Sequence, residues 1–256
     1  MPTPSATPEP KWDEEPEAAH DQAPLAGQLV MVEAAIRDPD VTGAKLVWMG
    51  HLQQLVYSRL RDYPEWRDAV VGVLPPDQQA AVRGTLDAGK EMRKLRGPIP
   101  RTLPNWQILE PPAPEVLMAY YREAEAEFGV PWQYLAAINL VETRMGRIHG
   151  LSSAGAQGPM QFMPATWQAY GRGNVHDPRD AILGAARYLK ASGAPGNMAK
   201  ALWAYNHHNG YVNGVTLYAD VMTKDPNAYR GFYGWQVYYT TQEGGAVILP
   251  VGWTRP

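Results

Sequence analysis

Hydrophobic residues recur at helical spacing along most of the chain, and this pattern predicts a mainly α protein. Before residue 97, the spacing predicts helices over residues 25–37, 43–60, 66–74 and 77–95. After that point it predicts helices over residues 114–128, 132–145, 163–170, 177–192, 197–205 and 211–222. Near the C-terminus, residues 235–241 and 246–251 flank a Gln-Glu-Gly-Gly turn and predict a small β-hairpin.

Local composition divides the chain into four segments. Residues 1–24 are rich in Pro, Glu and Ala and predict a disordered tether, although a tail without a role fits equally well. Residues 25–96 are predicted to form a helical N-terminal region of its own, serving as a scaffold or a docking site. Residues 97–113 predict a Pro-rich, extended connection that packs across the next domain. Residues 114–256 then form a second domain that includes the hairpin.

Charge and composition exclude several classes of function. The net charge of -3 argues against nucleic acid as the main partner, because such proteins carry a basic face. The chain has no cysteine, which excludes disulfides and thiolate chemistry. No apolar run is long enough to predict a transmembrane segment. Since the N-terminus also lacks the pattern of a signal peptide, the chain is either cytosolic or separated from its export signal.

One glutamate lies where a carboxyl group would be partly desolvated. Glu142 shares one face of its predicted helix with three apolar residues, Leu135, Ile138 and Met145. Desolvation disfavours the anion and raises the pKa, and a carboxylic acid that is protonated near neutral pH can protonate a glycosidic oxygen. The alternative is a solvent-facing Glu142 paired with Arg144 or Arg147, and spacing alone does not decide between the two.

A second acid is missing from the sequence around Glu142. Glycosidases ordinarily use two carboxyl groups, but no Asp or Glu occurs between Thr143 and His176. The next acids, Asp177 and Asp180, begin a predicted helix and have a structural task there as N-cap and first-turn residues. The sequence therefore offers one acid without an obvious partner.

The stretch over residues 142–167, ETRMGRIHGLSSAGAQGPMQFMPATW, resembles the core of the SLT-type lytic transglycosylases, glycoside hydrolase family 23. Three family motifs occur in order: the catalytic Glu, the Ser-x-x-Gly-Ala-x-Gly run that begins at Ser152, and Ala-Tyr-Asn at 204–206. The resemblance covers residues 114–222, and the GRIHG and LPNWQILEP stretches are similar to the actinobacterial branch. Thr143 replaces the family's Ser and Pro159 replaces its Leu.

The resemblance implies a mainly α fold, with a lysozyme-like α domain, a small C-terminal β-hairpin and a preceding helical N-terminal region. It also implies cleavage of the bond between N-acetylmuramic acid and N-acetylglucosamine in peptidoglycan glycan strands. Glu142 would first protonate the glycosidic oxygen and then, as a carboxylate, take the proton of the sugar's 6-hydroxyl. That hydroxyl would close onto the anomeric carbon and give a 1,6-anhydro product.

Five further residues receive roles from the same resemblance. Ser152 and Gln161 would hydrogen-bond acetamido or peptide groups of the substrate, and Met163 would line the groove. Tyr205 would position Glu142 or the scissile sugar, and Asn206 would brace the loop, although a packed Tyr and a helix-ending Asn also fit the sequence.

The resemblance implies no cofactor and no metal, and the histidines at 149, 176, 207 and 208 do not have the spacing of a ligand set. It implies an extracytoplasmic location, in the cell envelope or secreted, with residues 25–96 available to a cell-wall protein partner. Three alternatives stay open from the sequence: a lysozyme-type hydrolase of peptidoglycan, a non-catalytic wall-binding scaffold, and a chitin-type substrate.

Overall fold

The computed structural model describes residues 11–243 and 245–255, and it confirms a mainly α protein with a small C-terminal hairpin. The first helices of the described chain are α1 (Gln22–Arg37), α2 (Gly43–Asp62), α3 (Arg67–Val71) and α4 (Pro76–Arg93). They are followed by α5 (Pro114–Phe128), α6 (Trp132–Thr143), α7 (Pro164–Tyr170), α8 (Pro178–Ala191), α9 (Met198–Tyr205), α10 (Asn209–Lys224) and α11 (Ala228–Tyr233). No helix of the described residues is long and apolar enough to cross a membrane.

The predicted helices all form, and α11 is an addition that the sequence pattern did not predict. Its segment, AYRGFY, is too short and too rich in aromatic residues to show helical spacing. It packs on α2 because two glycines meet there: a Cβ added to Gly50 would lie 2.5 Å from the carbonyl oxygen of Gly231. Only glycine, which has no Cβ, permits this approach.

The helices before and after the connection share one continuous hydrophobic core, which runs from Ala18 to Trp235. The most extensive contact between helices joins α4 to α10, which lie antiparallel. Glycines let them approach, since an added Cβ at Gly84 would lie 2.7 Å from Val221 and one at Gly214 would lie 2.4 Å from Met92. The sequence predicted residues 25–96 as a bundle of its own, whereas in the structure their apolar faces are buried against the second half of the chain.

A buried carboxyl group fixes α1 within this core. Glu33 is 1% exposed, and its Oε1 accepts hydrogen bonds from Gln53 Nε2 at 2.9 Å and from the Tyr57 hydroxyl at 2.6 Å. Its Oε2 pairs with Arg37 Nη1 at 2.7 Å, and Arg37 also pairs with Asp225 at the end of α10. The network therefore ties the first helix to the region after the connection.

The segment over residues 97–113 contains no helix and contributes a strand. Strand β1 (Gln107–Ile108) pairs antiparallel with β2 (Ile148–His149), so the two stretches LPNWQILEP and GRIHG meet. Trp106 Nε1 donates to the carbonyl of Leu151 at 3.1 Å. The pairing joins residues about forty apart in sequence, which is why alternation within either short stretch did not predict it.

The predicted hairpin is present: its first strand is shorter than predicted at both ends, and its second strand begins at the predicted residue and ends two residues earlier. Strand β3 (Val237–Thr240) pairs with β4 (Ala246–Leu249), with Val237 opposite Leu249. Gly244, in the predicted turn, lies outside the described residues.

The predicted tether is described only in part, because residues 1–10 lie outside the described residues. Residues 11–21 pack on α2: the ring of Trp12 meets Trp48 edge to face at 5.3 Å, and Ala18 is buried. Residues 1–24 have a composition that predicted disorder, but Trp12 and Ala18 pack against the core. Helix α1 already begins at Gln22. For residues 11–24 the structure thus differs from the expectation of a disordered tether.

Candidate active site

Glu142 lies one residue before the end of α6, half-buried at the surface of the core. The predicted apolar stripe beside it is present, and its members Leu135, Ile138 and Met145 are fully buried. The Tyr211 hydroxyl donates a hydrogen bond to Glu142 Oε1 at 2.8 Å. Burial raises the pKa of Glu142 to about 7, and the Tyr211 hydrogen bond opposes that rise. Near neutral pH the carboxyl group is therefore protonated in a large fraction of molecules.

Neither neighbouring arginine neutralises this carboxyl group. Arg144 Nη1 donates to the Leu140 carbonyl at 2.7 Å, and Arg147 Nη1 donates to the Arg144 carbonyl at 3.2 Å. The guanidinium of Arg147 lies over the ring of Tyr233, 5.2 Å from its centroid. The solvent-facing ion pair that the sequence left open is thus absent from the described contacts.

Two stacked tyrosines form the side of the site opposite α6. The rings of Tyr205 and Tyr211 lie nearly parallel, with centroids 6.2 Å apart. The Tyr205 hydroxyl donates to the Met160 carbonyl at 2.6 Å, while that of Tyr211 reaches Glu142. Burial and the nearby Glu142 raise the pKa of both hydroxyls well above the usual value, so both act as neutral donors.

A buried chain of hydrogen bonds holds the end of α6 against the loop that follows. The Tyr121 hydroxyl donates to Asn139 Oδ1 at 2.6 Å. Asn139 Nδ2 and Thr143 Oγ1 both donate to the Pro159 carbonyl, at 2.9 and 2.6 Å. Because Thr143 is adjacent to Glu142, this chain fixes the carboxyl-bearing turn relative to the loop. It also explains why a hydroxyl is needed at position 143, which Thr supplies in place of Ser.

The loop after β2 is shaped by residues in the left-handed region. Gly158 has φ of +75°, and an added Cβ would lie 2.0 Å from the Val175 carbonyl oxygen, so only Gly fits. Gln161 also has a positive φ, 50°, and its Nε2 donates to the Gly158 carbonyl at 2.9 Å. The loop thus folds back on itself directly before α7 begins.

The next acids in the chain have the structural task that the sequence predicted. Asp177 Oδ1 accepts the backbone N–H of Asp180 at 2.9 Å, which caps α8. Asp180 Oδ2 accepts the N–H of Asn174 at 2.9 Å. Among the described residues, burial and not a neighbouring carboxylate accounts for the raised pKa of Glu142. A carboxylic acid with one neutral donor, in a partly dry site, can give up a proton and later take one back.

Comparison with known families bears directly on this arrangement. Residues 119–222 match the family model described as the transglycosylase SLT domain. These residues therefore form a transglycosylase SLT domain. This SLT domain begins within α5 and ends within α10, so it contains α6 and both stacked tyrosines.

Curated relatives of the chain carry related names. It is 26% identical over 217 residues to "Membrane-bound lytic murein transglycosylase F" of Thiobacillus denitrificans, covering 72% of this chain and 46% of the relative. It is 31% identical over 119 residues to "Membrane-bound lytic murein transglycosylase F 1" of Alkalilimnicola ehrlichii, covering 43% and 24%. The chain thus spans less than half the length of these relatives. No solved structure matches it, and the expected actinobacterial branch stays a prediction.

The five further residues predicted from the motifs lie on three segments: the loop after β2 carries Ser152 and Gln161, the start of α7 carries Met163, and the end of α9 carries Tyr205 and Asn206. Ser152 Oγ accepts the backbone N–H groups of Ala154 and Ala156, at 3.2 and 3.0 Å, so it shapes the loop. Met163 is 44% exposed at the start of α7. Asn206 ends α9, where its N–H donates to the Leu202 carbonyl at 3.0 Å.

Tyr211 is the functional candidate that the sequence reasoning missed. The motifs pointed to Tyr205 as the residue that could position Glu142, but in the structure Tyr205 bonds the loop and Tyr211 bonds the carboxyl group. The sequence pattern of α10 could have identified Tyr211, because it lies two turns from Tyr218 on an apolar face and is therefore expected to be buried. A buried tyrosine requires a partner for its hydroxyl, which marks Tyr211 as a residue to pair with a nearby acid.

Proposed function

We propose that this protein is a peptidoglycan lytic transglycosylase that cleaves the bond between N-acetylmuramic acid and N-acetylglucosamine and releases a 1,6-anhydro product. One observation carries the proposal: within the SLT domain, Glu142 has a pKa raised to about 7 by burial and a single neutral donor, Tyr211. The curated relatives, named as lytic murein transglycosylases, support the same assignment.

In the first step, Glu142 donates its proton to the glycosidic oxygen. Because Oε1 accepts a hydrogen bond from Tyr211, the proton is carried by Oε2. The bond between the anomeric carbon and the glycosidic oxygen breaks. The glycosidic oxygen keeps the bonding electrons, takes the proton and leaves with its sugar. The substrate's own N-acetyl oxygen stabilises the positive charge at the anomeric carbon.

In the second step, Glu142 acts as a base. Its carboxylate, held by the Tyr211 hydroxyl, takes the proton of the 6-hydroxyl, and the sugar oxygen bonds to the anomeric carbon. The carboxyl group returns to its starting state and no water is consumed. A pKa of about 7 suits both steps, since the group must give and accept a proton at similar pH.

The substrate groove in this proposal runs along the loop over 146–163. Ser152 and Gln161 hydrogen-bond acetamido or peptide groups, and Met163 gives the groove an exposed apolar edge. Tyr205 supports the groove through its bond to the Met160 carbonyl and its stacking on Tyr211. Asn206 braces the turn between α9 and α10.

The proposal includes an extracytoplasmic location, where peptidoglycan is found. The word "membrane-bound" in the relatives' names supports it. Residues 25–96 share their core with the SLT domain, so a cell-wall protein partner, if one docks there, would bind the outer faces of α1 to α4.

The deciding experiment is digestion of purified peptidoglycan followed by mass spectrometry of the soluble fragments. The expected products end in anhydro sugars, each lighter by one water than the hydrolytic fragment. Glu142→Gln should give none of them while it still sediments with peptidoglycan. Reducing-end products of the heavier mass would show a lysozyme-type hydrolase, and equal clearing by wild type and Glu142→Gln would show that the assignment is wrong.

A further inference from the structure

A cavity of about 650 Å³ lies outside the Glu142–Tyr211 site, and neither of these two residues lines it. The N-terminal helices α2 and α4 form one wall, the SLT domain forms another through Val141, Arg144 and Tyr218, and the C-terminal hairpin adds Tyr238 and Thr240. None of these regions makes this cavity alone.

Four arginines line this cavity, which we call the arginine pocket: Arg61, Arg93, Arg96 and Arg144. Asp62 is the only carboxylate among the lining residues, and it is paired with Arg61 at 2.8 Å. Within the described residues, no carboxylate pairs with the other three. Three cations therefore line one cavity without a compensating carboxylate.

Burial adds to this imbalance. The pKa of Arg93 is lowered by burial and by the charges of Arg61 and Arg96, and that of Arg144 is lowered by burial. Gathering like charges in a partly desolvated site costs stability, and an anion that accepts their hydrogen bonds would remove that cost. A guanidinium binds a carboxylate in a bidentate geometry, which makes carboxylate an appropriate ligand class.

The position of the pocket indicates which carboxylate would reach it. Val141 and Arg144 flank Glu142 on α6. On α10, Tyr211 contacts Glu142 and Tyr218 lines the pocket, seven residues and roughly 10 Å further along the helix. An extended tripeptide spans about the same length. Peptidoglycan carries short peptides with free carboxylates on its muramic acid residues, and such a peptide has the length that separates the cleavage site from the arginines.

We propose that the arginine pocket binds the carboxylates of the peptide attached to the glycan, so that the N-terminal helices help to select peptide-bearing substrate. The proposal rests on the proposed function, since it takes peptidoglycan as the substrate. Arg93 and Arg96 supply the selection from α4 and the turn after it, and Arg144 supplies it from the SLT domain.

The binding test uses calorimetric titration of the full chain with a soluble stem tripeptide that has free carboxylates. Arg93→Gln and Arg96→Gln should each weaken binding about tenfold, the loss of a charge-assisted hydrogen bond. Arg83→Gln is the matched control, because Arg83 lies on the same helix, pairs with exposed Asp68 and does not line the pocket. Its affinity should equal that of wild type.

Three results of the titration would overturn the proposal: equal affinity for the tripeptide and its carboxamide analogue, unchanged affinity in both pocket variants, or equal affinity for inorganic phosphate and the tripeptide. The last result would show a general anion site. Arg96 is exposed, so Arg96→Gln provides a variant whose folding is not at risk.

A cleavage test completes the design with peptide-bearing glycan and glycan stripped of its peptides. The ratio of kcat/KM between the two substrates should fall about tenfold in Arg96→Gln and stay at the wild-type value in Arg83→Gln. If wild type cleaves neither substrate, the proposed function fails, whereas the titration needs no turnover and still decides whether the pocket binds the peptide.

Discussion

Two glutamates of this protein lie within helices of the same core, and they have opposite surroundings. Glu33 accepts hydrogen bonds from Arg37, Gln53 and Tyr57, and it is completely enclosed. Glu142 has one neutral donor, Tyr211, and is buried only in part. Burial alone therefore does not give a carboxyl group its role. A cation and several donors make it a structural anchor, whereas a single neutral donor leaves it able to hold and release a proton.

Substitution of Glu142 and of Glu33 is expected to differ most in its effect on the rate of peptidoglycan cleavage. Glu142→Gln keeps the shape and the acceptor oxygen for Tyr211 but cannot donate an acidic proton, so kcat/KM on peptidoglycan should fall about 10²- to 10⁴-fold. Glu33→Gln should retain the cleavage rate of the folded protein, because Glu33 does not contact the site. Comparable losses in the two variants would remove the distinction drawn between the two carboxyl groups.

The second effect is expected in stability and has the reverse order. Glu33→Gln breaks a buried ion pair and should lower the free energy of unfolding by about 3 kcal/mol. Urea denaturation measures it, with Glu142→Gln at acidic pH as the control, which should stay within about 0.5 kcal/mol of wild type. A smaller loss for Glu33→Gln than for this control would show that the network does not anchor α1.

The third effect is the pH dependence of stability that Glu142 contributes. The pKa of Glu142 is raised from 4.5 to about 7, so the folded protein holds this proton more tightly than the unfolded chain. Its contribution to stability is complete below the lower value and is lost as pH rises through about 7. The loss amounts to up to about 3 kcal/mol. The difference in free energy of unfolding between wild type and Glu142→Gln should show this slope, and a difference that is flat with pH would contradict it.

The smallest expected effect is a shift in the pH dependence of cleavage when Tyr211, the hydrogen-bond donor to Glu142, is replaced. Tyr211→Phe removes the hydrogen bond that lowers the pKa of Glu142, so that pKa should rise further. Because the first step needs the protonated acid, the alkaline limb of kcat/KM should move to higher pH. Tyr205→Phe is the matched control, since its hydroxyl bonds the Met160 carbonyl, and its limb should stay in place. Movement of the limb in Tyr205→Phe alone would reverse the roles of the two tyrosines.

Local pattern predicted most of the fold and the central residue of the site. Amphipathic spacing located ten of the helices, and the turn residues located the hairpin. Glu142 could be found because its motif is contiguous and its apolar neighbours follow helical spacing. The role of Asp177 as an N-cap could also be predicted, because it depends on a hydrogen bond to Asp180, only three residues away.

What the sequence did not predict depends on contacts between distant segments. The bond from Tyr211 to Glu142 joins positions 69 residues apart, and no local pattern encodes it. The same reason hid the pairing of β1 with β2 and the close approach of α11 to α2 at Gly50. The arginine pocket could not be predicted either, because its cations come from α2, from α4 and the turn after it, and from the residue that ends α6.

The antiparallel contact between α4 and α10 means that the SLT domain cannot be exchanged between proteins independently of α4. The family match stops at residue 222, but the helix that ends it has its glycine-lined face buried against α4. A fragment cut at the family boundary would present that face to water, with Val221 and the groove at Gly214 uncovered. A chimera that replaces the SLT domain with one from a relative must therefore also match the surface of α4. The unit that evolution or an engineer can move is larger than the unit that sequence comparison delimits.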